Sequence, residues 1–465
     1  MSEPALSVPR SARAALVVAG LGTLLSLVAF TAPLSTLGST GAALDAGVAG
    51  RTWILSSMSI GLGAALLSAG TIADDLGRRR TFVLGMAVIA IGSVVCAVAP
   101  HVLVFVLARV LQGVGAAAVI ASSLGIIAHT FPMGPERARA SGVWGASVGA
   151  GIAVGPVLSA SLDRLASWRD VYVVLAVASV VVGVLAHRLV DESRTHAPRG
   201  LDLGGALLLA ASVSCFLAAL VEGRAGWGRP LVVVLAVGAV VLLAVFVLAE
   251  SRNDSAMLDL TLLRHPPFLA ATTAAFVAGG GIIALMSYLS GFLGAALQVT
   301  PLGAAILLLT WSASSVATAL LARHIPARFP GRVQLGVGLL VVAAGQVSLS
   351  GIESGSTWVR FLPGLLVSGL ATGIVNAALG REAVASVPAG RGGMGSGANN
   401  TARYVGSAIG VTIVAVIAAR PGPGSVTEDL VHGWNVAAIV TAAVSAVGAV
   451  VVLVCRPRRV PAASS

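Results

Sequence analysis

The chain has 465 residues, is 57% hydrophobic and only 10% charged, and has a mean hydropathy of +0.97. So few charges could not cover the surface of a water-soluble fold of this length. The net charge of +11 comes from 29 arginines and no lysine; they are scattered between long apolar runs and form no compact basic face, which excludes a nucleic-acid-binding domain.

Apolar runs of about 20 residues are long enough to cross a bilayer as helices. They predict fourteen membrane spans, at 14–36, 52–72, 82–100, 102–128, 141–162, 171–189, 203–222, 230–249, 268–292, 302–322, 334–351, 358–379, 396–419 and 432–455. The short alternating strands of an outer-membrane barrel do not occur. Arg10 and Arg13 ahead of the first run resemble a signal peptide, but with many spans following, the run is read as an uncleaved first span. An even number of spans puts both termini on one side. With that side cytoplasmic, Arg51, Arg164, Arg169, Arg224, Arg229 and Arg420 fall outside, Arg109, Arg360 and Arg403 lie within spans, and the other 20 of the 29 are cytoplasmic. This asymmetry supports both the orientation and the number of spans.

The spans divide into a six-helix half at 14–190, an additional central pair at 203–249 and a second six-helix half at 268–455. Short basic loops at 70–80 and 323–332 occupy corresponding places in the two halves, the mark of a duplicated transporter fold. The fold class expected is therefore an all-α membrane protein. No Walker-type phosphate loop is present, which argues against ATP hydrolysis. Cys96, Cys215 and Cys455 lie in or beside separate runs without metal or disulfide spacing, so no metal or cofactor is expected.

Five stretches carry more specific information. In the loop 70–80, Gly70 allows close helix approach, Asp74 can cap a neighbouring helix, Gly77 turns the chain, and Arg78 and Arg79 anchor the cytoplasmic face. In the fourth span Arg109 sits inside an apolar helix with Gln112 and Gly113 close by; a charge at that depth normally faces a cavity or a partner. The fifth span carries Gly142, Gly145, Gly149, Gly151, Gly155 and Pro156, a small-residue groove ending in a helix-loosening proline. Ser167-Trp168-Arg169-Asp170 follows it, and the segment Gly395 to Arg403, with Asn399 and Asn400, opens the thirteenth span.

Together these stretches resemble the motifs of the major facilitator superfamily, and specifically its fourteen-helix drug/proton antiporter branch; the resemblance covers nearly the whole chain. It implies the major facilitator fold. It implies that Gly70, Asp74, Gly77, Arg78 and Arg79 latch the halves together, that Arg109, Gln112 and Gly113 serve proton coupling, and that Gly142, Gly151, Gly155 and Pro156 mark an antiporter. Three positions depart from the pattern. Asp75 replaces a basic residue, Ser159-Ala160 replaces the final Gly-Gly, and Leu24 stands where the branch usually has an aspartate, nine residues before Pro33. None of the 18 acids is placed at mid-membrane; Asp163, Asp170, Glu222 and Glu382 lie near span ends. With Arg109, Arg403 and Arg360 as the charges offered to the cavity, neutral or anionic substrates are expected over lipophilic cations. Trp144, Tyr288, Trp311, Asn376, Asn399, Asn400 and Arg403 are the candidates for lining the substrate site.

No HExxH, GxSxG or clustered histidines suggest catalysis, and no soluble signalling tail is expected after the last span. The expectation is a multi-pass, monomeric transporter of the cell membrane that exports small organic molecules such as antibiotics in exchange for protons by alternating access. The alternative is an uncoupled facilitator or importer of a metabolite.

Overall fold

The structure is a computed structural model describing residues 10–195, 202–224, 226–252, 260–326, 328–418 and 424–455. The arginines at 199, 420, 456, 458 and 459, which enter the charge asymmetry, lie outside the described residues, as does the C-terminal tail. Fourteen helices are long and apolar enough to cross a membrane, and no strand occurs among the described residues. They are α1 (Arg10–Thr31), α3 (Val48–Leu76), α4 (Arg78–Val98), α5 (Val102–Thr130), α6 (Pro135–Leu165), α7 (Asp170–Leu189), α8 (Leu203–Gly223), α9 (Pro230–Glu250), α10 and α11 together (Pro266–Val277 and Ala284–Leu297), α12 (Pro301–Leu321), α13 (Gly331–Ser348), α14 (Leu362–Ala385), α15 (Gly392–Ala418) and α16 (Val426–Val454). In addition, α2 (Pro33–Ala43) is a short helix after α1.

Helix termini follow local chemistry. Proline opens α2, α6, α9, α10 and α12, where its missing N–H costs nothing. Asp202 caps α8 through Gly205 N at 2.8 Å, and Ser425 with Glu428 forms a capping box on α16. Gly77, at φ +127°, makes the turn between α3 and α4, a conformation that L side chains rarely adopt. The first span differs from expectation: the helix does not run on to residue 36 but stops at Thr31. Pro33 has no N–H to offer the Ala29 carbonyl, so the helical hydrogen-bond ladder ends there. A six-residue π-helical stretch, Ala278–Ile283, joins α10 to α11 across three consecutive glycines.

In lipid there is no hydrophobic drive to bring helices together, so packing rests on close contact and buried polar bonds. One apolar cluster is built from residues of α1 to α7 with Tyr404, and a second from α10 to α16. A smaller third cluster ties Leu209, Val213 and Leu217 of α8 and Phe246 of α9 to Ile60 and Leu67 of α3 and Met394 of α15. The two large groups meet along two seams, α3 and α5 against α15, and α6 against α12 and α14. The helix α9 exposes a row of valines, among them Val233, Val237, Val240 and Val241, to the surroundings.

Candidate substrate cavity and gate

At one end of the bundle the 70–80 loop closes the first seam. The Asp74 carboxylate is fully buried at the N-terminus of α15, where it accepts hydrogen bonds from Gly393 N at 3.1 Å and Met394 N at 2.9 Å. An anion is well placed on the exposed N–H groups at the start of a helix. Arg78 donates to the same carboxylate from Nη2 at 2.9 Å and to the Gly390 carbonyl at 2.8 Å, so it bridges both sides. Beside it, Asp75 forms an ion pair with Arg391 at 3.0 Å, with both side chains almost entirely buried. Gly70 is required by proximity: a Cβ there would lie 2.2 Å from the Gly393 carbonyl oxygen. Arg79 behaves differently. It pairs with Glu192, and its backbone N–H and that of Arg80 donate to the same carboxylate, all within the first six-helix run. Sequence reasoning missed Glu192, Arg391, Gly393 and Met394. Arg391 was readable only as a basic loop residue, and backbone N–H donors leave no signal in a sequence.

Arg109 is completely buried and reaches from α5 to the break after α1. Its Nη1 donates to the Ala29 carbonyl at 2.5 Å and to Gln112 Oε1 at 2.9 Å, and its Nη2 donates to the Phe30 carbonyl at 3.2 Å. Pro33 and Arg109 are thereby one device, since the carbonyl that Pro33 cannot satisfy is taken by the guanidinium. Gln112 is fixed in turn by donating to Ser93 Oγ at 2.8 Å. Gly113 packs on α3, a Cβ there lying 2.3 Å from the Met58 carbonyl oxygen.

The small residues of α6 serve two neighbours. Gly142 faces the second seam, a Cβ there lying 2.7 Å from the Ala319 carbonyl oxygen of α12. Gly151 and Gly155 face α1, with Cβ positions 2.6 Å from the Leu24 carbonyl oxygen and 2.0 Å from Thr31 Oγ1. Pro156 lies inside α6 and borders a small cavity of about 30 Å³ between the seams. Trp311 and Arg403 also line that cavity, and Trp311 Nε1 and Arg403 Nε are buried without hydrogen-bond partners. The walls include Tyr404 and Phe30, whose rings meet edge to face at 5.6 Å.

The other substrate candidates are distributed unevenly. Tyr288 lines a larger adjoining cavity and stacks on Trp434. Trp144 donates to Ser123 Oγ at 3.0 Å, Asn399 to the Ala271 carbonyl at 2.9 Å and Asn400 to the Ser396 carbonyl at 3.0 Å, so these donors already have protein partners. Asn376 is buried in α14 near the crossing with Gly145. Arg360 is exposed at the start of the α14 segment, away from the interior. Arg169 stacks on Trp168 at 4.3 Å and donates to the Ala99 carbonyl. No carboxylate pairs with Arg109 or Arg403 among the described residues.

The Major Facilitator Superfamily profile matches residues 15–411. The multidrug resistance protein Stp of Mycobacterium tuberculosis is 32% identical over 371 residues, covering 80% of this chain and 69% of its own. The puromycin resistance protein pur8 of Streptomyces alboniger is 30% identical, covering 83% and 80%. The tetracenomycin C resistance and export protein of Streptomyces glaucescens is 30% identical, covering 81% and 70%. Among solved structures, the proton:xylose symporter XylE superposes with a TM-score of 0.68 at 15% identity, over 96% of this chain and 95% of its own, a likeness of fold alone. The chain is a multi-pass membrane transport protein, not an enzyme, and it belongs to the Major Facilitator Superfamily.

Proposed function

We propose that this protein is a proton-coupled exporter of small organic molecules such as antibiotics, favouring neutral or anionic substrates over cations. The observation that carries the reading is the pair of adjoining cavities, of about 30 and 270 Å³, where Arg403 and Trp311 hold unpartnered buried donors and no carboxylate is in the lining. Buried donors without partners are costly unless a ligand or water satisfies them. The names of the relatives, a multidrug resistance protein, a puromycin resistance protein and a tetracenomycin C resistance and export protein, support export. The bodies that rock are residues 14–190 and 268–455, the 203–249 pair riding with them, and the protein works as a monomer in the cell membrane with both termini in the cytoplasm. In this reading the 70–80 loop is the cytoplasmic latch, and its closed state leaves the cavity on the outward side. Proton coupling rests on the family and on the Arg109–Gln112 pair.

The test is drug tolerance across a panel of antibiotics in a host stripped of its own efflux pumps. Cells carry the wild type, Arg109→Ala or Arg403→Gln. Raised tolerance that is lost in Arg109→Ala supports export, and loss confined to acidic compounds in Arg403→Gln supports the substrate class. Transport indifferent to collapse of the proton gradient refutes the coupling and favours the uncoupled facilitator. Ethidium as the best substrate refutes the charge preference.

A further inference from the structure

The cavity that contains Tyr288 has a volume of about 270 Å³ and shares Phe30, Leu34 and Ser287 with the small cavity beside it. It lies in the half of the bundle away from the 70–80 loop, between α3, α11 and α15, with one wall formed by α8. Its surface is aliphatic, from residues such as Ile60, Leu217 and Val411, interspersed with serine and threonine hydroxyls, and no carboxylate lines it. The single charge in its wall is Arg224, just beyond the end of α8.

Arg224 is poorly satisfied. Its Nε is buried without a partner, and among the described residues its Nη2 makes a single, long hydrogen bond, to Thr412 Oγ1 at 3.5 Å. The nearest acid in sequence, Glu222, is engaged elsewhere: it accepts from Trp53 Nε1 at 2.7 Å and forms an ion pair with Arg229 at 2.8 Å. Arg224 is partly buried, a guanidinium there without a counter-charge is poorly stabilised, and its planar fork suits the two oxygens of a carboxylate or sulfonate. An apolar chamber with one such group recognises a molecule of the complementary kind.

We infer that this cavity is a binding site for an amphipathic organic anion, an apolar body bearing one carboxylate or sulfonate, with Arg224 as its charge anchor and α8 as one wall. The first helix of the central 203–249 pair then takes part in recognition. Calling the anion a transported substrate rests on the exporter reading; its binding does not.

The full chain in nanodiscs of zwitterionic lipid is titrated with anilinonaphthalene sulfonate and with neutral N-phenylnaphthylamine, which has the same ring system. Binding is counted above that of empty nanodiscs. In Arg224→Gln the affinity for the sulfonate falls by about 10- to 100-fold, the worth of a charge-assisted hydrogen bond. Arg224→Lys retains most of it, and the neutral probe binds all three proteins alike, which also shows that the variants are folded. Unchanged sulfonate binding in Arg224→Gln, or equal loss of both probes, overturns the site. So does loss in Arg403→Gln alone, which moves the anion to the small cavity. Displacement of the sulfonate from wild type by phosphatidylglycerol in the nanodisc makes the occupant a lipid headgroup and overturns the substrate assignment. Binding at Arg224 with no compound of any charge exported sinks the exporter reading and leaves the site standing; export without Arg224-dependent binding does the reverse.

Discussion

The latch proposed for the 70–80 loop offers the sharpest quantitative prediction, through Asp74→Asn. The carboxylate accepts four hydrogen bonds, two from Arg78 in its own half and two from Gly393 N and Met394 N across the seam. Asparagine has the same size but one acceptor oxygen, and its amide N–H groups would face donors. A hydrogen bond to a charged group is worth about 1.5–3 kcal/mol and a neutral one about 1 kcal/mol. Only the two bonds across the seam bias the closed state. Losing one and neutralising the other removes about 2–4 kcal/mol, a shift of about 30- to 700-fold toward the open latch. Ser396 reports that state, being fully buried against Ile120 at the same seam. A single cysteine placed there, after removal of Cys96, Cys215 and Cys455, is alkylated only when the seam parts. Its labelling rate rises by the same factor in Asp74→Asn until the intrinsic rate of the reagent limits it. A rate within about threefold of the parent would mean that Asp74 holds α3 to α4 through Arg78 and contributes nothing to the seam.

Three other predictions follow from particular contacts. Asp75→Arg places like charges at the 3.0 Å contact with Arg391 and abolishes export, while the exchanged pair Asp75→Arg with Arg391→Asp recovers it; an exchange no better than the single variant refutes the pairing. Arg109→Lys is as inactive in the tolerance assay as Arg109→Ala, because a point ammonium cannot serve Ala29 O, Phe30 O and Gln112 Oε1 together; wild-type tolerance with lysine refutes the fork. Gly155→Ala costs about 1–3 kcal/mol by overpacking and lowers the thermal midpoint in detergent. Thr31→Ala in the same protein relieves much of that loss by removing the oxygen 2.0 Å from the new methyl, and no relief places the strain on the Val28 carbonyl instead.

The spans were legible because the bilayer demands long apolar helices and tolerates little else. Their ends moved where backbone chemistry intervened, as at Pro33. The glycine, acid and arginine of the 70–80 loop were legible as types, since a turn, a helix cap and a basic anchor each need those residues. The partners were not. Nothing near Asp75 in the sequence announces Arg391, 316 positions away, and the donors on Asp74 are backbone groups. The same limit separates the substrate candidates. Trp144 and Trp311 look alike as buried aromatics, but Trp144 spends its N–H on Ser123 while Trp311 does not find a partner. The helix face decides this, and apolar runs without amphipathic contrast do not reveal the face. The role of α8 was hidden for the same reason, because its cavity wall is as apolar as its lipid face.

The missing first-span acid and the buried arginines have one consequence together. Leu24, where related antiporters are expected to carry aspartate, lies at the crossing of α1 with Gly151 of α6. Cavities with Arg403 and Arg224 in their walls, and with no carboxylate in their lining, are electrostatically one-sided. A unit charge about 8 Å from a guanidinium, at an effective dielectric of about 20, interacts by roughly 2 kcal/mol. That is a factor of about 30 in affinity, against a cation and in favour of an anion, relative to a neutral molecule of the same shape. An anion there would also relieve the cost of the unpaired arginine, and so would stabilise whichever state brings the two together. Export rates for a cationic, a neutral and an anionic member of one scaffold series should therefore rise in that order at equal concentration. A permanent cation exported as fast as its neutral counterpart would mean that the arginines are turned away from the route or screened along it, and the charge argument would fall with them.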